Sequence, residues 1–121
     1  MNKKFGFKDL HVWQKAIEFA DHIIELTENL NTNSKHFRLT EQIEAAVASV
    51  AQNIAEGKGR KTDKEFSQYL YFSRGSLNEV VTLLNLFFKR KWITEESLLK
   101  LEDEAYEIAC MIKGLINSLN K

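Results

Sequence analysis

The chain has no proline and one cysteine, and each scarcity narrows what it can be. Without proline, no helix need lose an amide donor or be kinked by a pyrrolidine ring, so long uninterrupted helices are permitted. A lone Cys110 excludes an intramolecular disulfide framework and leads us to expect a cytoplasmic, reducing setting. Net charge is lacking too, because 17 Lys and Arg balance 17 Asp and Glu over 121 residues. Any affinity for nucleic acid must therefore come from local clustering of charge. No apolar run is long enough to span a bilayer, and the opening "MNKKFGFKDL" has no signal-peptide core, so no membrane association is expected. Histidine is confined to His11, His22 and His36, none of them three residues after a glutamate. The Glu-x-x-His pairs of di-iron bundles are thus missing, and neither metal nor cofactor is expected.

What is present is helical periodicity. Leu10, Trp13, Ile17, Ala20 and Ile24 step by three and four residues, with Asp9 placed to cap the run. A second run carries Leu39, Ile43, Ala46, Val50 and Ile54 and is rich in alanine, so its neighbours can approach closely. A third opens with a capping box, Thr62 and Glu65, and continues through Phe66, Leu70, Ser73, Leu77, Val80, Leu84 and Phe87. Thr94 caps a fourth, whose stripe runs Leu98, Leu101, Ala105, Ile108, Ile112, Leu115 and Leu119. The breaks between runs are short, which makes sequential helices antiparallel neighbours. The expectation is all-α: one domain over 1–121, an antiparallel up-down-up-down four-helix bundle.

The apolar stripes are wider than one bundle core requires. Val12, Phe19 and Leu26 recur beside the main stripe of the first helix, and Tyr69 and Phe72 flank that of the third. They form either a broad core face or an interface between subunits. Catalysis finds little support. Cys110 sits beside Met111 and Ile112 with no histidine near it in sequence, as a small apolar residue would. "GKGRKT" lacks the spacing of a phosphate loop, and no strand precedes it. The chain is therefore not expected to be an enzyme. Asn53 should face inward, and Arg74 and Glu79 flank the third stripe, with Arg74 level with Asp21, Glu44 and Glu107. These residues make either a structural network that fixes helix register or a ligand pocket.

Charge placement is more informative. In an up-down bundle one end gathers Lys3, Lys4, Lys8, Lys58, Arg60, Lys61 and Lys64, and the other gathers Lys35, Arg38, Lys89, Arg90 and Lys91. Positive charge at the start of the third helix opposes its macrodipole, which Glu56 and Asp63 only partly offset. Gly57 or Gly59 is expected to stop the second helix in the left-handed conformation.

The stretches "DLHVWQKAIEFA", "LTEQIEAAVASVAQNIAEGKGR" and "EFSQYLYFSRGSLNE" resemble the 23S rRNA intervening-sequence proteins, small bacterial four-helix bundles. The most specific portion is Asn53-Ile54-Ala55-Glu56-Gly57 with Gly59-Arg60, then Arg74-Gly75-Ser76 and Glu79. Such proteins usually carry a proline just before the asparagine; here Ala51 and Gln52 stand there, which removes a kink. The resemblance implies a homopentameric ring, with Val12, Phe19, Leu26, Tyr69 and Phe72 as interface candidates. The chain is also similar to accessory proteins of diversity-generating retroelements, which form basic pentamers that bind nucleic acid and a reverse transcriptase. The expected function is a non-enzymatic oligomer that binds structured RNA or DNA through phosphates. Lys58, Arg60, Lys61 and Lys64 would form the main patch, and Lys89, Arg90 and Lys91 a second. The rival expectation is a scaffold that docks a protein partner without touching nucleic acid.

Overall fold

Residues 4–32 and 36–120 are described by the computed structural model; Lys3 and Lys35 of the two basic clusters lie outside them. A 3-10 turn at Gly6–Asp9 leads into α1 (His11–Glu28), followed by α2 (Phe37–Lys58), α3 (Asp63–Lys89) and α4 (Glu95–Leu119). Contacts run α1–α2, α2–α3, α3–α4 and α1–α4, with no diagonal pair among the described residues. The helices therefore stand at the corners of a square. Cross-helix bonds show that neighbours run antiparallel. Gln42 reaches Glu79 at one end of α2–α3 and Arg60 reaches Tyr69 at the other, while His22–Glu104 and Lys15–Glu107 do the same for α1–α4. This is the four-helix bundle that the periodicity predicts.

The helix starts follow local chemistry. Thr62 Oγ1 accepts the Glu65 amide at 3.1 Å, and Thr94 Oγ1 accepts the Ser97 amide at 3.1 Å, each satisfying an orphan donor of the first turn. Asp9 does not cap α1. It closes the 3-10 turn instead, and Leu10 stands at the N-cap without a side-chain bond. The Gln14 side chain anchors this entry by donating to the Lys8 carbonyl at 2.8 Å.

The rotation of α1 corrects a second expectation. Val12, Ala16, Phe19 and Ile23 point into the core, Phe19 with no exposed surface, whereas Ile17 and Ile24 are 44% and 39% exposed. Both stripes keep heptad spacing, and packing chooses the one holding the large Phe19. Val12 and Phe19 are thus core residues rather than interface, and Leu26 packs half-buried against them. Tyr69 is half-buried and Phe72 is 50% exposed. Cys110, expected near the core, is also exposed.

No described glycine has positive φ, so neither Gly57 nor Gly59 is a left-handed stop. Gly59 is right-handed at φ −81°. Gly57 lies buried inside α2, where a Cβ would come within 2.7 Å of Tyr69 Cβ and 2.9 Å of Phe66 Cδ1. Glycine is needed there for contact between α2 and α3, with backbone freedom playing no part.

Gly57→Ala is expected to destabilise the fold by about 1–3 kcal/mol through overpacking. Gly59→Ala, with 3.6 Å to its nearest neighbour, should be neutral or stabilise by up to about 1 kcal/mol. Urea denaturation decides the matter, and equal effects at the two sites would refute the close-approach reading. Phe19→Ala should cost about 3–5 kcal/mol and Phe72→Ala about 0.5 kcal/mol or less, which separates core from surface in the same assay.

Candidate nucleic-acid and subunit interfaces

The α2–α3 corner is assembled from small residues first. Ser73 Oγ donates to the Val50 carbonyl at 2.8 Å in the buried seam, and Ser76 Oγ meets Ser49 Oγ at 2.9 Å. Asn53 Nδ2 donates to the Ser49 carbonyl and hydroxyl, both at 2.9 Å, so this half-buried amide belongs to the same seam. Such short polar bridges require close backbones, which the serines, alanines and Gly57 allow.

At the end of the seam Arg60 is committed inward. Its guanidinium pairs with Glu56 at 2.9 Å, donates to Tyr69 Oη at 2.6 Å and lies 4.8 Å from the centre of the Tyr69 ring. Tyr69 in turn meets Phe72 edge-on at 5.6 Å. Glu56, unfavourable beside a helix C-terminus by the dipole rule, is explained by that pair. Arg74 makes no contact with Asp21, Glu44 or Glu107; it stacks on Tyr71 at 4.8 Å. Glu79 accepts from Gln42 Nε2 at 3.2 Å. Glu44 is held instead by the Thr27 hydroxyl at 2.5 Å, and Glu107 by Lys15 at 3.1 Å. Asn53, Glu56, Arg74 and Glu79 therefore each have a local structural partner. The ammonium of Lys15 is shifted upward by its hydrogen bond to Glu107 and by that residue's charge. The raised amine pKa means that the stability linked to protonated Lys15 is fully present below the ordinary lysine range and is lost as pH rises through the raised value.

The remaining corner cations are different. Lys58, Lys61 and Lys64 are exposed and make no ion pair among the described residues. They surround the first turn of α3, whose amides face the same solvent. The 3-10 turn packs against α2 and adds Lys4 and Lys8 to this end. The opposite end is not equivalent. There Glu28, Glu41, Glu95 and Glu96 accompany Arg38, Lys89, Arg90 and Lys91, so the surplus of positive charge belongs to the α2–α3 end.

Lys91 has a feature that sequence reasoning missed. Its φ of 66° is the one left-handed backbone among described non-glycine residues. The Lys91 amide bonds to the Phe88 carbonyl and the Trp92 amide to the Phe87 carbonyl, both at 2.9 Å, which makes a Schellman end to α3. Glycine is usual there, and a run of "KRKW" gives no sign of one.

Besides Phe37 on α2 and Tyr71, Phe72, Leu86 and Phe88 on α3, exposed apolar residues form two further groups. One is on α1, with Ile17 and Ile24. The other is on α3–α4, with exposed Leu99 and the 72%-exposed Tyr106; Tyr106 lines a cleft of about 350 Å³ between the two helices together with Leu77, Val81, Ala105 and the acidic Glu102 and Asp103. His22 Nδ1 lies 2.7 Å from Glu104 Oε1 across α1–α4. Among the described residues no group of three His, Cys, Asp or Glu side chains is placed to hold a metal.

A proline-free antiparallel bundle with a glycine-closed α2–α3 corner and one cationic end defines a class of small four-helix-bundle protein. The chain belongs to the 23S rRNA-intervening sequence protein family, whose model matches residues 8–114. It is also similar to a crystal structure from Bacteroides thetaiotaomicron, a protein of unknown function from the S23 ribosomal protein family. The TM-score is 0.80 at 27% identity, covering 87% of this chain and 97% of that one. No curated protein matches the chain.

Lys91→Gly should raise the stability of dilute protein by about 1 kcal/mol, because a side chain in the left-handed region is strained by roughly that amount. A urea midpoint that falls would show that the lysine makes a compensating contact within its own chain.

Proposed function

We propose that the protein is a non-enzymatic, ring-forming binding protein that holds structured RNA or DNA by its phosphates at the α2–α3 end. The observation that carries this reading is the trio Lys58, Lys61 and Lys64, exposed around the start of α3 without an ion-pair partner among the described residues. Lys61 and Lys64 oppose the α3 dipole and weaken the fold slightly, an effect that an anionic ligand reverses, while Lys58 in the last turn of α2 favours the dipole of its own helix. Arg60 has the lesser part, since Glu56 and Tyr69 already hold it. Contacts of this kind follow the phosphate backbone and carry little sequence preference.

The ring rests on two of the apolar surfaces, that of α1 and that of the α3–α4 side. They differ in composition and stand on different helices, so covering both with copies of the same chain requires a head-to-tail contact, which closes into a ring when the rotation allows. Resemblance to the family supports five as the number of subunits. The chain would act in the cytoplasm, where an exposed thiol such as Cys110 stays reduced. Display of one cationic end per subunit around a ring would multiply a weak phosphate affinity by avidity.

Light scattering should give a mass of about 70 kDa for five chains of 14.0 kDa. A fluorescent stem-loop RNA should bind, losing affinity more than tenfold between about 50 and 200 mM salt. Lys61→Glu with Lys64→Glu should weaken binding at least tenfold without lowering the urea midpoint. A salt-independent titration, or full affinity in that variant, would sink the nucleic-acid reading and leave a protein-docking scaffold.

A further inference from the structure

The cluster Lys89, Arg90, Lys91 is not needed by the α2–α3 end, which lies at the other end of the bundle. Its surroundings are also unlike a solvated turn. Lys89 and Lys91 rim an open depression of about 680 Å³ whose other walls are Asn85, Phe88 and Ile93. No acidic residue lines it. Phe88 is 36% exposed there, so the depression offers an apolar wall between two ammonium groups. Lys91 keeps its place at the expense of a left-handed backbone that glycine would adopt without strain.

The same chain carries a surface with the converse chemistry. On the outward face of α1, Ile17, Asp21, Ile24 and Glu28 follow one another at intervals of four, three and four residues, all exposed. Spacings of three and four place them in one line along the helix. Two isoleucines alternate with two carboxylates, and none of the four has a side-chain bond or ion pair among the described residues. This stripe faces outward on α1, which is diagonal to α3 across the square; its own chain comes near the depression only through the loop after α1, where the Asn31 amide bonds to the Trp92 carbonyl at 3.3 Å.

We infer that the upper part of the α1 stripe, Ile24 and Glu28 with Asp21, seats in the Phe88–Ile93 depression of a second copy, its carboxylates against Lys89 and Lys91. The inference rests on the ring reading above and places the contact on its α3–α4 side at the Phe88–Ile93 depression rather than at the Tyr106 cleft, whose Glu102 and Asp103 would repel the α1 carboxylates. Charge complementarity selects a second copy as the occupant: an acidic apolar stripe and a basic apolar depression are both left uncovered on every chain. It also reassigns the second basic cluster from nucleic acid to assembly. Contact between unlike surfaces is head-to-tail, as a ring requires. Charges flanking such a contact fix its register and exclude wrong pairings as much as they add affinity.

Charge reversal tests it. Lys89→Glu with Lys91→Glu, and separately Asp21→Lys with Glu28→Lys, should each weaken self-association at least tenfold by sedimentation, with helical content unchanged by circular dichroism. Combining all four substitutions should restore the wild-type mass, because the pairing is then reversed at every contact. If either pair leaves the mass unchanged, or the combination fails to restore it, the docking is wrong while the ring stands. A wild-type monomer would overturn the ring reading and this docking together. RNA affinity measured on the Lys89/Lys91 variant separates the remaining case: a loss with unchanged mass returns the cluster to nucleic acid and overturns its place in assembly.

Discussion

The closeness of α2 to α3 is the constraint on which the rest depends. At Gly57 the two backbones come too near for a single Cβ, and Ser73 and Ser76 exploit that nearness with bonds across the seam of 2.8 and 2.9 Å. A wider seam would break these bridges and leave buried hydroxyls unpaired, each at a cost of roughly 1–3 kcal/mol. Because the seam ends where α2 turns into α3, its tightness also sets where the corner cations stand. Arg60 is locked onto Tyr69 and Glu56 there, and its lysine neighbours are turned outward.

Polar residues that look functional in the sequence turn out to have structural partners nearby. Asn53 bridges to Ser49, Glu56 to Arg60 and Glu79 to Gln42, while Arg74 lies on Tyr71. Of these, only Gln42–Glu79 crosses from α2 to α3; the other three hold a side chain against its own helix or helix end. The unpaired residues differ from them in kind. Lys58, Lys61 and Lys64, together with the outward stripe of α1, contribute little to the isolated fold, and this is why they carry the functional proposals.

Legibility varied from residue to residue for physical reasons. The caps at Thr62 and Thr94 were readable because a hydroxyl and an amide three residues apart meet without help from elsewhere. Asp9 misled because a 3-10 turn, packed against α2, absorbed it. Gly57 was recognised as special for the wrong reason, since its role is contact with another helix. Lys91 carried no local signal at all, because its left-handed conformation is imposed by the docking of Trp92, which is only 8% exposed, into the core.

By itself the sequence determined the helices, their order and their antiparallel neighbours, because hydrophobic period, capping chemistry and short turns are local properties. Membership of the intervening-sequence family was legible in the same way, from motifs within α2 and α3. Only the tertiary structure decided which α1 stripe enters the core, which cations are already paired, and which end of the bundle keeps surplus positive charge. The physical reason is common to all three. A period gives the angular spacing of side chains around a helix and leaves its rotation free, so the rotation is settled only when four helices compete to bury one core.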